Sequence, residues 1–135
     1  MREIYMDHSA TTPVDEAVFE AMIPFYTSQY GNPSSVYSKG RAARRALEKA
    51  REQVAALINA HPREIFFTSG GTEADNQALV SYMMNNSHRG KHLIISSIEH
   101  HAVLDTCEYL QKIGFEVTRL PVTPSGLVEP DTLKQ

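Results

Sequence analysis

A chain of 135 residues with 41% apolar side chains has the size of one ordinary globular domain and enough apolar content for a single core. Its 13 basic and 16 acidic side chains leave a formal charge of -3, so it lacks the basic footprint that selects phosphate backbones, and nucleic acid is not an expected partner. No window reaches the roughly eighteen uninterrupted apolar residues of a membrane span, and residues 1–5 lead into polar sequence rather than a signal-peptide core, so a cytoplasmic location is expected.

Residues 4–13 join a short extended piece to a run of small polar residues and read as an ordered loop. Asp15 and Glu16 supply the cap and acidic first turn of a helix carrying Val18, Phe19, Met22 and Ile23 at helical spacing, with Pro24 bending it near its end. Gly31-Asn32-Pro33-Ser34-Ser35 breaks the chain. Over residues 36–59 the apolar positions Ala43, Leu47, Ala50, Val54, Leu57 and Ile58 recur at three- and four-residue steps, which predicts a long amphipathic helix. Its arginines alternate with glutamates and read as a solvated face.

The pattern then changes. Residues 64–68 read as a strand, 72–86 as a helix, 92–96 as a second strand, 101–112 as a helix and 116–120 as a third strand. This βαβαβ order predicts an α/β fold with parallel pairing, and the unalternating apolar strands suit a sheet covered on both faces. Glu129-Pro130-Asp131-Thr132-Leu133 reads as the start of one more helix that the chain does not continue, so an incomplete domain is expected.

Two segments can carry chemistry. In Thr68-Ser69-Gly70-Gly71-Thr72-Glu73-Ala74-Asp75-Asn76, two glycines lead into a helix start, where close backbone approach, free N–H groups and the Thr72 hydroxyl suit a phosphate. The same residues also read as a tight turn with Thr72 as cap and Asp75 completing a box-like cap. Neither G-x-G-x-x-G nor G-x-x-x-x-G-K-[ST] occurs, so a phosphate here belongs to a smaller cofactor than a dinucleotide or nucleoside triphosphate. In Glu99-His100-His101-Ala102, at the carboxyl end of the second strand, an imidazole can stack on an aromatic ring or move a proton, or merely cap the next helix. Zinc ligation is not expected: H-E-x-x-H is absent, and three adjacent side chains cannot all point inward. Cys107, the single cysteine, reads as a buried structural thiol.

Taken together, Tyr5-Met6-Asp7-His8-Ser9-Ala10-Thr11-Thr12-Pro13, the break at residues 31–35, residues 64–76 and Glu99-His100-His101-Ala102-Val103 resemble successive blocks of cysteine desulfurases, class V aminotransferase-like enzymes with the fold-type I pyridoxal-phosphate (PLP) architecture. The resemblance implies the amino-terminal part of the large domain of that fold. Residues 1–14 would form an active-site loop segment, and residues 15–135 an incomplete large domain. It implies PLP as cofactor, with Gly71 and Thr72 holding its phosphate and His100 stacking on the ring and assisting proton transfers.

The family takes sulfur from L-cysteine, leaving alanine and an enzyme persulfide that serves a sulfur acceptor, as in iron–sulfur cluster biogenesis. Lys39, Lys49, Lys91, Lys112 and Lys134 fall outside the family's Schiff-base lysine motif, and Cys107 lies in the wrong block for the persulfide carrier. The expectation is a fragment or half-enzyme, inactive until paired with a carboxyl-terminal remainder as a second chain or by self-association, in a family of homodimers. The competing expectations are a non-catalytic interaction module derived from this fold, and a fragment of another class V enzyme such as a selenocysteine lyase or aminotransferase.

Overall fold

The computed structural model describes residues 4–134, which form two compact units meeting in sequence at Phe66 and Phe67. In the first, Asp7 O accepts from the N–H groups of Ala10 and Thr11, and the Tyr5 hydroxyl bonds Thr11 Oγ1, so the small polar run is an ordered turn. Helix α1 (Glu16–Thr27) starts where the Asp15 carboxylate accepts from the backbone of Ala17 and Val18. Pro24 lies inside its last turn, and the N–H groups of Ser28 and Gln29 both return to Pro24 O.

Helix α2 (Ser38–Leu57) is the long amphipathic helix expected from the sequence. Its first turn is seated against the 31–35 break through two glycines: a Cβ on Gly31 would lie 2.3 Å from Lys39 O, and one on Gly40 would lie 2.3 Å from Ser35 O. Lys39 Nζ donates to the Tyr30 hydroxyl at 3.0 Å and sits 4.1 Å from the ring centroid; that hydrogen bond first, then the positive charge, holds the phenol below its usual range. At the other end Asn59 takes φ 54°, letting Ala60 N–H reach Ala55 O at 2.9 Å and close the final turn.

The segment expected as the first strand is corrected here. Pro62–Glu64 is a 3₁₀ turn closed by a reciprocal cap between His61 and Glu64, and residues 65–68 lie outside the sheet. Ile65 is extended, with φ -94° and ψ 123°, but an extended apolar run becomes a strand only in a ladder, and the sheet of the described residues has two members.

The second unit holds α3 (Gly71–Asn85), β1 (His92–Ser96), α4 (His101–Lys112) and β2 (Glu116–Leu120). The strands pair in parallel from His92 opposite Glu116 to Ser96 opposite Leu120, with α4 as the crossover. Met83, Leu110 and Phe115 form the core, flanked by Leu79, Val80 and Leu93. Gly114, at φ 97°, ends α4 so that Phe115 N–H reaches Leu110 O at 3.0 Å, joining the cap to the core. The expected final helix is only a 3₁₀ turn, Pro130–Lys134. No helix among the described residues is long and apolar enough to cross a membrane.

Candidate active site

The start of α3 is built differently from the cap expected in the sequence. Gly70, in extended backbone, occupies the N-cap position and offers no side chain, which puts Thr72 inside the first turn and leaves Asp75 out of the cap. The closing carboxylate is Glu73, whose Oε2 accepts from Ser69 N–H at 2.7 Å and Ser69 Oγ at 2.6 Å. The Ser69 hydroxyl first, then its backbone N–H, hold the Glu73 carboxyl below the usual carboxylate range. Because Glu73 reaches past the helix to Ser69, the N–H groups of Gly71, Thr72 and Glu73 keep no acceptor among the described residues. The Thr72 hydroxyl is equally uncommitted.

A Cβ added to Gly70 or Gly71 would meet nothing within 4 Å. Packing within the chain therefore does not require these glycines, and the open space lies beside the free donors. A helix start in this state is an anion site in chemical terms, with the positive end of the helix dipole and free N–H donors facing open space.

The second expected residue comes to the same place. Residues 97–100 leave the carboxyl end of β1, pinned by Ser97 N–H to Leu120 O at 2.9 Å and by the Ser96 hydroxyl to Glu99 at 2.9 Å. His100 is the N-cap of α4, and its Nδ1 accepts from Ala102 N–H at 3.1 Å. That bond needs Nδ1 unprotonated, so in the neutral ring the proton sits on Nε2, pointing away from the helix. Thr72 and His100 both line a cavity of about 380 Å³, together with Asn76, His101, Thr106 and Tyr109. Gly71 lies beside Thr72 in the chain but does not border the cavity.

The other candidates separate from this place. His101 turns to Asp105, with Nδ1 3.9 Å from the carboxylate, and both side chains are largely exposed. His92 Nε2 shares a hydrogen bond of 2.7 Å with Thr118 Oγ1 across the strands. Cys107 is wholly buried; burial first, then the charge of Glu99, push its thiol above the ordinary value, against a lowering by Arg119. It is a core thiol rather than a nucleophile. The sequence reading missed Glu73, because its partner Ser69 lies four residues before it, one more than the S-x-x-E spacing of a capping box. It also missed Asn76 and Thr106, whose 30-residue separation leaves no local signal at all.

The residues present fit the phosphate and ring of PLP in donor chemistry: free N–H groups and a hydroxyl at the helix start, with the Glu73 carboxylate turned to Ser69, and a planar imidazole on the cavity that Thr72 lines. The chain matches the aminotransferase class-V family over residues 4–135. It is 52% identical over 134 residues to the cysteine desulfurase IscS of Dictyoglomus turgidum, covering 99% of this chain and 34% of the relative. It is also 52% identical over 133 residues to the IscS of Methanosarcina thermophila, covering 98% and 33%. Among solved structures, a NifS-like protein superposes with a TM-score of 0.94 at 43% identity, over 98% of this chain and 36% of that one. DndA from Streptomyces lividans superposes at 0.80 with 39% identity, over 97% and 37%. The chain belongs to the class-V aminotransferase family, carries an α/β portion of its fold, and spans about a third of the length of the cysteine desulfurases it matches.

Proposed function

We propose that this chain supplies the cofactor-facing part of a PLP-dependent cysteine desulfurase, with Gly71 and Thr72 binding the cofactor phosphate and His100 lying against its ring. The observation that carries the reading is that Thr72, with its free hydroxyl and first-turn N–H, and the His100 imidazole border one cavity. The relatives' desulfurase names support the reaction class. When bound, PLP supplies the electron sink that weakens bonds at the α-carbon of an amino acid.

The chain's own residues bind, orient and move protons. The N–H groups at the start of α3 and the Thr72 hydroxyl hold the phosphate, and the Glu73 clamp on Ser69 keeps those donors pointing outward instead of folding back on the chain. His100 is held from behind through Nδ1, which leaves its ring face for the cofactor and its Nε2 as the atom at which a proton is held or exchanged. The lysine that anchors the cofactor and the cysteine that receives sulfur are assigned to a further portion of the enzyme, joined as a second polypeptide or through self-association. L-cysteine is the sulfur donor, an acceptor takes the sulfur onward, and the assembled enzyme is a homodimer of the cytoplasm.

The test is the absorbance spectrum of the purified chain with PLP, alone and mixed with a separately expressed lysine-bearing family segment, followed by sulfide release from L-cysteine. A cofactor band and sulfide appearing in the mixture alone bear the reading out. If neither appears under any condition, the chain is an interaction module built on this fold, and the catalytic reading is lost.

A further inference from the structure

On the wall of the same cavity lies a polar contact that joins α3 to α4. Asn76, one turn into α3, donates from Nδ2 to Thr72 O at 2.7 Å and to Ala102 O at 3.4 Å. Its Oδ1 accepts from the Thr106 hydroxyl at 2.7 Å. The amide orientation follows from its partners, since a flip would set the amide oxygen against two carbonyl oxygens. Thr106 is 4% exposed, the single buried polar side chain among the described residues, and its one hydroxyl proton is shared between Asn76 Oδ1 and Ala102 O, each at 2.7 Å. A buried hydroxyl on an otherwise apolar helix face is costly unless it is satisfied, and here it is satisfied both from the facing helix and from the carbonyl one turn back in its own.

The connection is continuous. Thr72 O is tied to Asn76, Asn76 to Thr106 and Ala102, and the Ala102 N–H to His100 Nδ1. The Ala102 residue is thus held by both its backbone groups, its carbonyl by the α3 side and its N–H by the imidazole. The helices carrying the phosphate donors and the histidine are joined within the first two turns of each, where a small rotation of either would shift Thr72 relative to the ring.

We infer that Asn76 and Thr106 are positioning residues that fix the His100 ring relative to the first turn of α3. The inference rests on the reading of Gly71, Thr72 and His100 as the PLP site. The phosphate donors belong to α3 alone, so loosening this contact leaves most of the cofactor affinity in place. What it disturbs is the ring placement, and misplacing a reacting group by about an ångström costs up to ~100-fold in rate.

The experiment uses the chain assembled with its lysine-bearing complement and PLP, comparing Thr106→Val, which keeps the shape and removes the hydroxyl, with Thr106→Ser, which restores it. Thr106→Val is expected to hold PLP within about threefold of wild type, to lose most of the visible circular dichroism of the bound cofactor, and to lower kcat for sulfide release roughly tenfold at unchanged KM. Thr106→Ser returns both the dichroism and kcat to near wild type. A Thr106→Val assembly with wild-type dichroism and kcat overturns the inference, as does a loss that Thr106→Ser does not restore. A wild-type assembly that takes up no PLP overturns the site reading and this inference with it, a result distinct from a variant that matches an active wild type.

Discussion

At residue scale, the site rests on groups whose bonds are already committed and others left free. His100 combines two duties, capping α4 through Nδ1 and presenting a ring, and substitutions can separate them. His100→Asn keeps a good cap, so the soluble assembly should retain its stability while the dichroism of bound PLP disappears. His100→Ala should lose the dichroism and also about 1 kcal/mol of stability, read by chemical denaturation. Glu73 gives a pH signature. Its carboxyl is depressed by the Ser69 hydroxyl and N–H, so its contribution is complete above the ordinary carboxylate value and is lost as pH falls through the depressed one. The Ser69 amide should therefore show hydrogen-exchange protection at neutral pH that fades as pH falls below the ordinary carboxylate range, and Glu73→Ala should abolish that protection at every pH. In the sequence, Gly70-Gly71 and His100 stood out as following two expected strands, of which only the second, residues 92–96, forms; the cap was read as Thr72 because a hydroxyl near a helix start is a stronger local signal than a glycine.

At element scale, the helices and two of three strands were legible because their patterns are local. Residues 92–96, 101–112 and 116–120 form the elements read from the sequence over those same spans. The run 64–68 was not legible as it stands, because its composition states a preference for extension and says nothing about who lies alongside. The glycines before and within α2 act at the same scale. A methyl group on Gly40 would press on the carbonyl oxygens of Ser35 at 2.3 Å and Asn32 at 2.7 Å, both backbone atoms that move only if the 31–35 turn moves. Gly40→Ala should cost about 1–3 kcal/mol by denaturant titration and shift the turn's backbone resonances.

At the scale of the whole molecule, surface decides behaviour. Helix α1 buries no residue, with Phe19 57% and Phe25 45% exposed, and among the described residues no further strand pairs with either edge of the two-stranded sheet. The purified chain should therefore self-associate and bind the hydrophobic dye ANS; light scattering from a size-exclusion column that returns a monomer with a sharp thermal transition would contradict this.

The pairing of β1 with β2 has a consequence in time. Their ladder closes over a loop of fewer than thirty residues, the helix that closes it is capped at both ends by its own neighbours, and such short-range units assemble early, even while a polypeptide is still being synthesised. Residues 65–68 are outside that ladder and run straight into α3, so the start of that helix is tied to the ladder through α4 and not through a strand of its own.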